Sequence, residues 1–266
     1  MGERFRLLWE ILRQEGPRSL GAELRRSVIR RAGAIAAWVR GELSFEGDPL
    51  IARFRIRSYG EALNLIRTYE TERGCLRTLM RHLRNTDTFW DIGAYHGLYS
   101  ILAAPLCQQV IAFEPYPPNA QRIAINSARN GLRDRVRVLE IALSDQEGIA
   151  GFDLRGGQRA FMMGSVVPGL TSGHAVLIAP GDLLISHGVP PPDVVKIDVE
   201  GHECRVLNGM RNLLRRHVRF LICEVHEAYL IRHGLAGCVE KLLDELGFKI
   251  ACLDRRRTEY FLQAEK

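Results

Sequence analysis

With 266 residues, 46% of them hydrophobic, the chain can bury a full sheet-and-helix core, so neither a metal nor a disulfide staple is needed to hold it together. No apolar run reaches the roughly 18 residues that a membrane span requires and no signal peptide is visible, so a soluble, cytoplasmic protein is expected. The formal net charge is +6, but aromatic residues do not interleave with the basic ones at strand spacing, which argues against a nucleic-acid partner.

Arginines 4, 6, 13, 18, 25, 26, 30, 31 and 40 crowd the first forty residues, among Leu7, Trp9, Leu12, Leu24, Val28, Ile29, Ile35, Trp38 and Val39. The pattern predicts a basic amphipathic helix that packs on its own domain or lies on an anionic membrane surface or a partner protein. Gly41 to Pro49 reads as a boundary loop, and Ala52 to Ser58 alternates at period two as a half-buried strand does. Residues 1–60 are expected to form an N-terminal extension and 61–266 the main domain. Helical spacing from Glu61 to Leu83, interrupted at Gly74, leads into strand Thr88–Ile92, helix Gly97–Leu106, strand Gln109–Phe113, helix Pro118–Asn130 and strand Val136–Ile141. Ser144 to Gly173 is glycine-rich and reads as irregular, with a strand at Ala175–Ile178 after it. The alternation resumes with strand Val194–Asp198, a helix over Glu203–Leu214, strand Phe220–Val225, a helix over Leu235–Leu246, and strands Phe248–Leu253 and Tyr260–Gln263. Such alternation predicts a mostly parallel sheet with helices on both faces. Only Asp254–Thr258 separates the last two strands, too short a link for a parallel crossover, so they must form an antiparallel hairpin. The six cysteines are scattered without a Cys-x-x-Cys pair and are expected to be reduced core thiols.

Asp91, Gly93 and Gly97 fit Asp-x-Gly-x-x-x-Gly, a glycine-bearing turn of a nucleoside-binding unit. A dinucleotide fingerprint needs glycine where Tyr95 stands, because the backbone there approaches a pyrophosphate. Tyrosine blocks that approach, which favours a ligand without phosphates, such as S-adenosylmethionine. Gly93, Ala94 and Gly97 would let the loop pass its amino-acid end, and Asp91 would reach its ammonium group. Glu114, ending the next strand, would accept from both ribose hydroxyls. His96 in the same loop is expected to line the site. Farther on, the run from Pro190 to Glu203 puts Asp198, Glu200 and Glu203 at the carboxyl end of a central strand, where open sheets bind ligands, although acids also favour helix amino termini. Lys196 inside that strand needs a partner carboxylate if it is buried.

Asp-Ile-Gly-Ala-x-x-Gly-x-x-Ser (91–100), Ala-Phe-Glu-Pro (112–115), Ala-Leu-Ser-Asp (142–145), the run from Pro191 to Glu203 and Glu-Val-His (224–226) together resemble the FkbM-type methyltransferase family. The match runs in order from Thr88 to roughly Tyr229, and Lys-Ile-Asp-Val-Glu-Gly is its most specific part. The resemblance implies a Rossmann-like class I methyltransferase with a mostly parallel seven-stranded sheet and a C-terminal antiparallel hairpin. It implies S-adenosylmethionine as cofactor and, as methyl acceptor, a hydroxyl of a sugar, glycan or secondary metabolite. It carries Asp91, Gly93 and Glu114 over to the cofactor and Ser144 to the neighbourhood of the adenine, while Tyr95 stands where the family commonly has asparagine.

O-methylation also needs a group that removes the hydroxyl proton. His226 is the first choice for this base, since an imidazole titrates near neutral pH and this one follows a strand whose end should flank the site. Glu224 and His226 share a face if the strand is continuous. Asp198 and Glu224 would orient the histidine, contact the cofactor or hold a divalent ion that acidifies the hydroxyl. The remaining histidines form no metal-ligand spacing. Two other readings stay open: a nicotinamide-dependent oxidoreductase, against which Tyr95 and the hairpin argue, and a non-catalytic membrane-associated protein, against which Asp91, Glu114 and Asp198 argue together.

Overall fold

The computed structural model describes residues 17–46, 51–154, 164–167, 174–256 and 258–266. Helix Pro17–Arg40 (α1) leads into strands Glu42–Glu46 (β1) and Ile51–Arg55 (β2), which pair as an antiparallel hairpin, and into helices Tyr59–Thr71 (α2) and Arg73–His82 (α3). Strands Thr88–Ile92 (β3), Gln109–Phe113 (β4) and Val136–Leu139 (β5) alternate with helices Leu98–Ala103 (α4) and Pro117–Arg129 (α5). Strands Ala142–Leu143 (β6), Gly148–Leu154 (β7), Gly164–Val167 (β8) and His174–Ala179 (β9) form a separate sheet in the order β6-β9-β7-β8. After the short helix Gly181–Leu184 (α6) come strand Val194–Ile197 (β10), helices Glu203–Gly209 (α7) and Arg211–Arg216 (α8), and strand Phe220–Val225 (β11). Helices Glu227–Arg232 (α9) and Cys238–Glu245 (α10) then precede strands Lys249–Arg255 (β12) and Tyr260–Glu265 (β13).

The main sheet runs β12-β13-β11-β10-β3-β4-β5, with β13 alone antiparallel to its neighbours, so the terminal hairpin expected from the short link is present. Every residue of β3 is buried, as in a central parallel strand covered on both faces. Side chains divide by the period of two: Phe89, Val110, Ala112, Val194 and Phe220 join a core shared with α1, β2 and α3, whereas Trp90, Ile111, Phe113, Val195 and Leu221 join the core under α7 and α10. From β3 the chain moves outward to β4 and β5, then returns to β10 on the opposite side. The chain leaving β3 crosses to one side of the sheet and the chain leaving β10 to the other, and such a switch point opens a crevice at the carboxyl edge.

Three expectations need correction. Residues 42–46 form a strand where a boundary loop was expected, because Leu43 and Phe45 turn alternately inward once Ile51–Arg55 lies alongside. Within the glycine-rich stretch, β7 and β8 form through pairing with each other and with β9, a long-range partnership that outweighs poor local strand propensity; residues 155–163 and 168–173 lie outside the described residues. Cys204 and Cys238 are joined as a disulfide with Cα atoms 6.1 Å apart, because α7 and α10 pack side by side; Cys75, Cys107 and Cys223 are free and buried, and Cys252 is free and exposed. Among the described residues, no helix is long and apolar enough to cross a membrane.

The end of α7 touches the end of β6 so closely that a Cβ on Gly209 would lie 1.8 Å from the Ser144 carbonyl oxygen. Alanine is the better helix former by roughly 0.5–1 kcal/mol, but overlap with fixed backbone works against it by about 1–3 kcal/mol. Gly209→Ala should therefore lower the urea midpoint by an amount equivalent to a net of about 0.5–2 kcal/mol. An unchanged midpoint would show that the two elements part without strain.

Candidate active site

A cleft of about 270 Å³ lies at the carboxyl ends of β3, β4, β10 and β11, lined among others by Gly93, Ala94, Glu114, Asp198, Glu224 and His226. Its first half belongs to the turn after β3. Gly93 has φ +78°, and a Cβ there would meet the Asp198 carbonyl oxygen at 1.8 Å, so glycine is required for the two loops to touch. Tyr95 holds φ +51°, which costs a residue with a Cβ about 1–2 kcal/mol. In return its N–H donates to Glu114 Oε2 at 2.9 Å. Asparagine tolerates this conformation more easily, which accounts for the residue usual in the family pattern.

Glu114 also accepts from the Tyr116 N–H at 3.0 Å and, at 3.5 Å, from Asn119 Nδ2. Each carboxylate oxygen offers two lone pairs, so Oε2 retains one for a ligand. Burial pushes this carboxyl up to about 7, against the pull of its backbone donors. His96 lines the cleft as expected, stacked on the Tyr95 ring at 3.7 Å, and burial followed by Arg122 pushes it down to about 3, so it is neutral. Phe113, Ile141, Leu143 and Phe152 supply apolar wall.

Beneath the cleft, the Lys196 ammonium lies 3.1 Å from the Gly93 carbonyl oxygen, 3.3 Å from Asp198 Oδ2 and 3.5 Å from Asp91 Oδ1. Burial alone would lower its pKa, but Asp198 and Asp91 outweigh it and the net shift is upward. The partner carboxylate that a buried lysine requires is thus present twice. Asp91, fully buried, also accepts from Ser100 Oγ at 2.6 Å and is not part of the cleft wall. Neither is Gly97, which precedes α4, nor Ser144, whose hydroxyl meets His202 Nε2 at 3.0 Å.

The second half of the cleft is rich in carboxylates. Strand β11 ends at Val225, so His226 is not on a continuous strand with Glu224; both nevertheless reach the cleft, where ligand atoms of Glu224, His226 and Glu259 lie within 4.8 Å of one another. His226 Nδ1 is 2.7 Å from Glu203 Oε1, which also accepts the Gly201 N–H at 2.9 Å, and His226 Nε2 is 3.5 Å from Glu200 Oε2. Burial opposes the charged imidazole, but the Glu203 hydrogen bond and the surrounding carboxylates overcome it and push the pKa up to about 10. The expectation of a histidine titrating near neutrality is corrected: with these neighbours it carries a proton at pH 7.

Three residues here were not expected: Glu72, Arg256 and Glu259. Glu72, between α2 and α3, accepts from the Tyr99 hydroxyl at 3.0 Å, and burial followed by Asp198 pushes it up to about 7. Burial, then Asp198 and Glu72, push Glu224 up to about 9. Arg256, in the terminal hairpin, reaches Glu224 at 3.4 Å and Glu259 at 3.2 Å. Glu72, Arg256 and Glu259 stand outside every motif of the sequence, so none of the three gave a signal.

Residues 91–250 match the family model of the methyltransferase FkbM domain. The chain belongs to the FkbM methyltransferase family. It is 33% identical over 211 residues to the hexuronic acid methyltransferase AglP of Haloferax volcanii, covering 77% of this chain and 81% of that protein. To the 31-O-demethyl-FK506 methyltransferase FkbM of Streptomyces tacrolimicus it is 27% identical over 225 residues, covering 72% and 83%. The crystal structure of methyltransferase FkbM from Methylobacillus flagellatus superimposes with a TM-score of 0.48 at 14% identity, covering 90% of this chain and 60% of that one. As a member of the FkbM family, the chain is an S-adenosylmethionine-dependent methyltransferase, and the nicotinamide reading is set aside.

The Glu203 contact makes a measurable claim. A raised folded pKa means that the stability contributed by protonated His226 is complete below about pH 6.5, its ordinary value, and is lost as pH rises through about 10. Glu203→Gln should return the His226 titration toward that ordinary value, read from imidazole ¹⁵N shifts. A midpoint that stays where it was would assign the upward push to Asp198 and Glu200 instead.

Proposed function

We propose that the chain transfers a methyl group to a hydroxyl oxygen of a sugar or other polyhydroxylated metabolite, with the reaction centred on His226 Nε2. The carrying observation is a single cleft lined both by Glu114 and by the carboxylates gathered around His226. The name of one relative, for 31-O-demethyl-FK506, supports an oxygen acceptor, and that of another, for a hexuronic acid, supports a sugar.

The residues fit the cofactor, since Glu114 Oε2 keeps a lone pair, and Glu114 lines an apolar-walled cleft together with Gly93 and Ala94. S-adenosylmethionine supplies the sulfonium methyl that the hydroxyl displaces. Glu114 accepts from the ribose, and Gly93, Ala94 and Asp198 form the rim beside the methionine part, with Lys196 and Asp91 holding that rim from below. Gly97 and Ser144 act indirectly, by starting α4 and by anchoring the β6 end. In the other half, Glu72 and Glu224 bind acceptor hydroxyls, and His226 takes the proton as its Nδ1 side stays fixed by Glu203.

Only the neutral imidazole can accept a proton, so kcat/KM should rise with pH through an apparent pKa near 10, the free-enzyme value of His226. In kcat the same limb should sit lower, because a bound sulfonium disfavours a second cation beside it. His226→Gln should lose about 10²–10⁴ in kcat with S-adenosylhomocysteine affinity little changed, whereas Glu114→Ala should weaken that affinity by about tenfold or more. Mass spectrometry of metabolite or glycan extracts incubated with the protein, searching for gain of one methyl, would supply the acceptor. Full turnover by His226→Gln would move proton removal to Glu224 or Asp198.

A divalent ion is the second reading, because ligand atoms of Asp198, Glu200 and His226 lie within 4.8 Å of one another. An ion there would acidify the acceptor hydroxyl. Loss of turnover in chelator, restored by magnesium or manganese, would select this reading, and turnover indifferent to chelator would remove it.

A further inference from the structure

We propose that the outward face of α1 docks on an anionic membrane surface. Residues 1–40 hold nine arginines and four glutamates and no other charged residue, so they carry +5 of the chain's net +6. The charge is therefore a property of one end of the molecule and not of its catalytic domain.

Within α1 the two sides differ. One side packs inward: Ala34 and Ala37 are fully buried, and Arg30 Nε bonds Glu70 Oε2 at 2.7 Å on α2. The other side displays Leu24, Val28, Ile35, Trp38 and Val39, between 51% and 78% exposed. Their spacing of three, four and seven places them along one stripe. Arg25, Arg31 and Arg40 are exposed on the same helix.

Water does not favour such a stripe, and a monomer rarely keeps one uncovered without use. A second copy is a poor occupant, since it would bring two +5 segments together. An anionic bilayer answers both features at once: headgroups attract the arginines, while Trp38 and the aliphatic side chains enter the boundary between headgroup and acyl chain. Helix α2 connects this surface to the cleft, because Ile66 and Glu70 face α1 whereas Asn64, Arg67, Thr68 and Thr71 line the cleft. The helix that docks thus packs its inner side on the same helix that lines the cleft.

The test is co-sedimentation of the full chain with vesicles of phosphatidylcholine alone, and of phosphatidylcholine mixed with phosphatidylglycerol, at low and high salt. Binding is expected on the mixed vesicles at low salt, with a loss of at least tenfold at high salt and none on neutral vesicles. Arg25→Gln, Arg31→Gln and Arg40→Gln together should weaken binding by about fivefold per residue. The quadruple variant Val28→Ser, Ile35→Ser, Trp38→Ser and Val39→Ser should lose it even with all arginines present. Unchanged melting and S-adenosylhomocysteine binding in both variants would show that they are folded. No partition of the wild type at low salt would overturn the proposal, as would a quadruple variant that binds like wild type. Self-association that the quadruple variant abolishes, without vesicle binding, would assign the face to a second copy. Capture of the wild type by polyglutamate without any binding to the mixed vesicles would assign it to an acidic protein. Failure of the wild type to bind S-adenosylhomocysteine would count against the catalytic reading and leave the membrane result standing.

Discussion

A single buried ammonium governs the geometry of the cleft. Lys196 stands almost wholly buried in a central strand at the floor of the cleft, so its charge must be matched by the carboxylates of Asp91 and Asp198. Those two groups lie at the ends of neighbouring strands, and the same ammonium reaches the Gly93 carbonyl oxygen, so one charge pins the loops after β3 and β10 together. Taking away the ammonium would leave the buried Asp91 carboxylate without its counter-charge, a loss of about 3–5 kcal/mol. The Tyr99 ring lies 5.2 Å from the same nitrogen and its hydroxyl donates to Glu72, which extends the network into the helices before the sheet.

Above that pinned floor the carboxylates outnumber their counter-charges. Glu72, Glu114 and Glu224 are all shifted toward the protonated form, first by burial, and His226 is shifted toward the cation by the acids around it. A positively charged ligand beside these carboxyls would favour their ionised form and oppose the upward push of burial. Electrostatics of this kind suit a sulfonium and are unsuited to a pyrophosphate, which agrees with the tyrosine where a dinucleotide turn would need glycine.

The main sheet was legible because its signals are local: apolar runs, helical spacing between them and a final link too short to cross over. The side sheet was not, since β7 contains Gly148 and Gly151 and gains its regularity only from β9. Cleft-lining residues immediately after apolar strands, such as Glu114, Asp198 and His226, were readable by position. Asp91 was readable as important but not in its surroundings, because its counter-ion comes from a strand distant in sequence. The charge state of His226 was hidden for the same reason: Glu203 reaches it across a turn and a helix start that sequence spacing does not bring together.

The wall of the cleft is assembled from two sources. Gly93, Glu114, Asp198, Glu224 and His226 lie within the segment matched by the family model, whereas Asn64, Arg67 and Glu72 come before it and Arg256 and Glu259 after it. A chain built this way can diversify modularly. Recombination that exchanges the helices ahead of the sheet and the tip of the last hairpin would graft a new clientele onto an unaltered methyl-transfer engine.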